Sequence, residues 1–152
     1  MSYVLRTLRK KREVDTIIRY TIDNVLVLRF GRASDPLCLH LDDALCKSAG
    51  EVSKFANVAL VDIDSNKIQV YTNYFDITFI PSTVFFFQRS SHEDGSDTAD
   101  HTKWVGAFHK KQDFIDVVEL AMYRGAMKGK LIVSCPLPSE RIPKCQLLYR
   151  DV

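Results

Sequence analysis

The stretch VLVLRFGRASDPLCLHLDD, residues 25–43, joins a strand to a helix through one short turn. Residues 25–30 are apolar and rich in β-branched side chains over a strand's length, and Asp35 followed by Pro36 reads as a helix N-cap with a first-turn proline. A strand therefore feeds a helix here. In a βα unit such a corner puts the helix N-terminus, with its free N–H groups and partial positive charge, at the carboxyl end of the sheet. Ligand chemistry is often found at these corners.

Working outward, residues 11–23 place Val14, Ile17, Ile18 and Ile22 at helical spacing between charged residues, the pattern of an amphipathic helix on a core. Leu37, Leu41, Ala44, Leu45 and Val52 carry the second helix to an end or bend near Gly50. NVALVDI, residues 57–63, is almost continuously apolar and suits a central parallel strand buried on both faces. Residues 67–75 hold a brief helix. TVFFF, residues 83–87, is a short strand whose start is marked by Ile80-Pro81, since proline cannot donate to a ladder. The polar run QRSSHEDGSDTADHTK, residues 88–103, predicts an exposed hairpin loop, with a strand beginning at Trp104 on its far side.

Phe114, Val117, Val118, Ala121 and Met122 predict a core helix over 111–128, closed by Gly125 and Gly129. Beyond it, residues 129–152 form a carboxyl-terminal extension with three prolines among apolar anchors. The order of elements predicts an α/β fold, a sheet covered by helices on both faces, as a single domain over residues 1–152 without internal repeats.

Composition bounds the function. The 152 residues are 46% hydrophobic and 11% aromatic, enough for one packed core. Twenty-one Lys and Arg against nineteen Asp and Glu leave a formal charge of +2, too small for a dedicated nucleic-acid coat. No run spans a bilayer and the amino terminus has no signal-peptide core, so an intracellular protein with no membrane association is expected. Cys38, Cys46, Cys135 and Cys145 form no C-x-x-C pair, which predicts no disulfide and no zinc site. His92, Glu93, Asp94, Asp97, Asp100 and His101 fit neither a calcium loop nor a zinc-ligand spacing and read as a solvated turn. No metal and no cofactor are expected. The basic run Arg9, Lys10, Lys11 and Arg12 reads as a solvated first turn, with RNA contact or nuclear import the sharper alternative. No Ser/His/Asp order or phosphate-gripping glycine loop is present.

A strand ending at Phe30, a turn of fixed length into a helix and the Ile80-Pro81 step resemble the thioredoxin fold. That resemblance implies a cis proline at 81 and aligns Asp35 with the nucleophilic cysteine and Cys38 with the resolving one. RFGRASDPLC, PSTVFFF and YRGAMKGKLIV resemble the spliceosomal thioredoxin-like protein 4, or Dim-type, family. LRFGR, CLHLDD, YFDITFIPSTVFFF and DHTK resemble its second, Dim-like branch.

The aligned motif Asp35-Pro36-Leu37-Cys38 lacks the exposed, helix-terminal thiol that exchange chemistry requires, and Asp35 suits that position as an N-cap alone. Arg29 stands where thioredoxins keep a buried carboxylate, and Ser82 after Pro81 offers Cys38 no thiol. The resemblance thus implies a non-catalytic nuclear module of pre-mRNA splicing and small nuclear ribonucleoprotein assembly. It also implies a tetratricopeptide-type tri-snRNP bridging protein as partner, homodimerisation and a link to cell-cycle progression. Phe79, Trp104, Tyr123, Arg124, Lys128 and Lys130 are the candidate partner surface, with Phe75 as a further aromatic anchor. The alternatives are a residual thiol-disulfide oxidoreductase using Cys38 and direct RNA binding.

Overall fold

The computed structural model describes residues 5–88, 100–108 and 110–123. Five strands order as β1-β3-β2-β4-β5. They are β1 (Thr7–Leu8), β2 (Val25–Gly31), β3 (Ala56–Asp62), β4 (Ser82–Phe87) and β5 (Asp100–Val105). The first three are parallel, and β4 and β5 run antiparallel to their neighbours, so the sheet is mixed as expected. β2 is buried along its whole length because it lies at the centre with helices on both sides.

Side chains alternate between two cores. One face takes Val25, Val27, Phe85 and Trp104 against α2 (Pro36–Val52), α4 (Lys111–Asp116) and the π-helical turn Val117–Tyr123 that continues it. The other takes Leu26, Leu28, Phe30, Val84 and Phe86 against α1 (Lys11–Tyr20) and α3 (Gln69–Tyr74), the latter entered through a 3-10 turn at Asn66–Ile68.

Four elements differ from the sequence reading. β3, expected to be buried on both faces, leaves Asn57 exposed and Val58, Leu60 and Asp62 half-buried, because only β1, two residues long, covers its outer edge. The first helix ends at Tyr20, where the Thr21 amide closes on the Ile17 carbonyl at 3.0 Å, and not at residue 23. Strand β1, two residues paired with Leu60 and Val61, has too short a signature to be read locally. The last strand starts at Asp100, so residues 100–103, expected in the loop, are strand, among them His101, Thr102 and Lys103. Their polar side chains are buried: His101 packs its ring on Phe75 and Phe86 at 5.2 and 5.5 Å, and Lys103 Nζ donates to the Asp76 carbonyl at 2.7 Å. The expected helix over 111–128 is described to Tyr123. Gly125, Gly129, the acidic run 92–97, Cys135, Cys145 and the extension 129–152 lie outside the described residues.

Candidate functional site: the strand-to-helix corner at Asp35 and Cys38

The corner is assembled by strand pairing. Phe30 at the end of β2 is opposite Ser82 at the start of β4, so Pro81 lies beside the turn that leads from Gly31 into α2. The Ile80-Pro81 bond is cis, and the Pro81 carbonyl accepts from the Gly106 amide at 2.8 Å. Gly106 has φ 103°, a backbone conformation open to glycine.

Asp35 caps α2. Its Oδ2 accepts the Cys38 amide at 2.9 Å, with Pro36 at the first helical position. That amide holds the half-buried Asp35 carboxyl below its ordinary range. The carboxylate thus takes the helix-terminal position at which a low-pKa thiol would be nucleophilic.

Cys38 is turned inward and fully buried. Burial pushes its thiol up to about 11, the opposite of what exchange chemistry needs. Near neutral pH only about one molecule in ten thousand would carry the thiolate. Its Sγ packs against Gly31: a Cβ at that glycine would lie 2.6 Å from the sulfur and 2.8 Å from Arg29 Nη1. Cys46 is eight residues along the same helix, about 12 Å away by helical rise and beyond the roughly 7 Å a disulfide spans. Both thiols are free, and burial raises Cys46 as well.

Arg29, also buried beneath the corner, forms a two-pronged pair with Asp42 of α2, Nε to Oδ1 and Nη2 to Oδ2 both at 2.8 Å. This clamp went unread in the sequence, which drew attention to Arg29 but not to its partner. Burial pushes the Asp42 carboxyl up while the guanidinium pulls it down.

The candidate partner residues divide. Phe79 is 64% exposed on the loop just before Pro81, and Leu37 on the first turn of α2 is also exposed. Trp104 is corrected to the core: at 2% exposure its indole stacks on Phe108 at 4.9 Å. Phe75 is likewise buried, edge-on to Phe30 at 5.7 Å. Tyr123 is half-buried and packs against Phe55 at 5.4 Å, while Arg124, Lys128 and Lys130 lie outside the described residues. Among the described residues no cluster of His, Cys, Asp and Glu could hold a metal ion, and no helix is long and apolar enough to cross a membrane.

Sheet order, the cis proline and the strand-to-helix corner are those of a thioredoxin fold. The crystal structure of chloroplastic thioredoxin z superposes with a TM-score of 0.58 over 78% of this chain and 94% of that one, at 19% sequence identity. The chain belongs to the family described as mitosis protein DIM1, which it matches over residues 4–139. It is 53% identical to thioredoxin-like protein 4B of Homo sapiens over 152 residues, the full length of both chains. Spliceosomal protein DIB1 of Saccharomyces cerevisiae is 33% identical over 136 residues, 89% of this chain and 92% of that protein.

Proposed function

We infer that this chain is a non-catalytic, nuclear protein-interaction module of pre-mRNA splicing with a link to cell-cycle progression. Its family membership and the spliceosomal role in the name of its DIB1 relative support this reading. The observation that carries the non-catalytic part is the corner itself. A carboxylate occupies the nucleophile's position, and the remaining thiol is buried with its proton held up to about 11.

The motif Asp35-Pro36-Leu37-Cys38 is a degenerate redox motif kept for its architecture. Spliceosomal proteins are the partners, among them a tetratricopeptide-type bridging protein of the tri-snRNP, with a second copy of the chain as a further contact. Phe79, on a loop whose backbone is bonded at Phe79 and Asp76 by Ser82 and Lys103, is the described anchor of the partner surface. Tyr123, Arg124, Lys128 and Lys130 are proposed as further contact residues, Tyr123 lying on Phe55 just before β3, at the end of the sheet away from the corner.

The test purifies wild-type and Cys38→Ser chains from nuclear extract and assays both for insulin reduction. The same splicing factors on both chains, with no reductase activity, is the expected result. Reductase activity or mixed disulfides that depend on Cys38 would overturn the non-catalytic reading.

A further inference from the structure

On the face of the sheet opposite α2, a groove of about 350 Å³ opens between α1 and α3. Ile18, Val70, Tyr71, Tyr74 and Phe86 line it, with Lys11 at its edge, its ammonium paired to Asp15 at 2.7 Å. Val70 and Tyr74 are 50% and 54% exposed although both are large and apolar in body. Tyr71 donates its hydroxyl to Asp15, tying α3 to α1. That bond closes off one polar end of the groove and leaves its lining mainly aromatic and aliphatic.

The charge around this lining has one sign left over. The two walls and their caps carry five cations: Lys10, Lys11, Arg12 and Arg19 at α1, and Lys67 before α3. Against them stand Glu13 and Asp15, both engaged internally, and the exposed Asp76 just past α3; with Lys11 held by Asp15, the excess rests on Lys10, Arg12, Arg19 and Lys67. Glu13 takes the Arg6 guanidinium at 3.3 Å and the Arg9 and Lys10 amides at 3.1 Å, and Asp15 takes Lys11 Nζ at 2.7 Å as well as Tyr71. α3 itself has no acidic residue. An apolar trough with a basic surround is complementary to a ligand with apolar anchors and carboxylates beside them.

We propose that the groove between α1 and α3 is a docking site for a segment of a protein partner whose apolar side chains are flanked by aspartate or glutamate. The chain's own acidic run, residues 90–100, has Ala99 as its one apolar side chain and so cannot fill an apolar trough.

The experiment selects short random peptides, displayed on phage, against the full chain. Enriched sequences are then synthesised and titrated against wild type and against Val70→Glu, Lys11→Glu and Lys47→Glu. The last makes the same charge change on α2, away from the groove. Expected are sequences that combine apolar residues with Asp or Glu, bound about tenfold more weakly by Val70→Glu and Lys11→Glu and unchanged by Lys47→Glu. Thermal unfolding checks that each variant is folded, and if Val70→Glu is not, Lys11→Glu decides. The proposal is overturned if no peptide enriches, if enriched peptides lack acidic residues, or if Lys47→Glu weakens binding as much as Lys11→Glu. It is overturned in favour of nucleic acid if labelled oligouridine binds wild type and loses affinity in the groove variants.

Discussion

Gly31 has no side chain because the corner has no room for one. A Cβ there would meet Cys38 Sγ and Arg29 Nη1 inside 3 Å, and both side chains are held by burial. Gly31→Ala is expected to lower stability by about 1–3 kcal/mol in urea unfolding, the usual cost of overpacking. Adding Cys38→Ala removes the sulfur it strikes, so the double variant should lose less than the two single losses together; strict additivity would show that the sulfur is not what forbids the side chain. Cys38 also imposes a pH dependence. Its folded value is raised to about 11 from 9.0, so below pH 9 both states hold the proton and the contribution to stability is complete. As pH rises from about 9 to 11 the unfolded chain ionises first and stability falls, by up to about 3 kcal/mol. Unfolding curves across that window should flatten in Cys38→Ala, and an unchanged slope would mean the thiol is not sheltered.

At the scale of elements, β2 and α2 are joined by the Arg29–Asp42 clamp, in which the Arg29 side chain is only 4% exposed. Arg29→Met leaves a poorly solvated carboxylate without its cation and is expected to cost about 3–5 kcal/mol. Replacing both, Arg29→Met with Asp42→Leu, should recover most of that loss by equilibrium unfolding; a double variant as unstable as the single one would assign the cost to lost packing of the Arg29 stem. The same pair marks how far the sequence could be read. β2 and the start of α2 were legible because strand composition, the Asp35 cap and Pro36 are all local signals. The partner of Arg29 was not, since nothing in a period of 3.6 says which acidic residue of a helix faces a strand. Residues 101–103 misled for a related reason: His, Thr and Lys look solvated, and what buries them comes from residues 75–76 and 86, far away in the chain. Trp104 reads as a surface anchor in the sequence because an isolated tryptophan after a polar run shows nothing of Phe108 stacked on it.

Across the whole molecule, the two faces of the sheet and its carboxyl end present different surfaces. The α2 face is closed by its helices, the α1–α3 face keeps an open groove, and the corner at the end of β2 exposes Phe79 on a restrained loop. Ser82 Oγ donates to the Phe79 carbonyl at 2.6 Å, Lys103 Nζ reaches the Asp76 carbonyl, and the Ile77 amide bonds the Thr72 carbonyl at 2.9 Å. An aromatic side chain on such a loop loses little backbone freedom when it is covered, which is the condition under which one residue dominates an interface. Phe79→Ala removes no core contact, so its thermal unfolding should stay close to wild type. Its recovery of partner proteins from nuclear extract should fall at least about tenfold, as loss of an interface anchor requires. The Cys38→Ser chain, altered a few residues from the same corner but beneath its surface, should recover them in full. The reverse pattern, with Phe79→Ala silent and Cys38→Ser deficient, would move the interaction from the exposed rim of the corner to its buried thiol. Loss in both would point to the shape of the corner as a whole, and a Gly31→Ala chain, which strains that shape while leaving both side chains in place, would then share the defect.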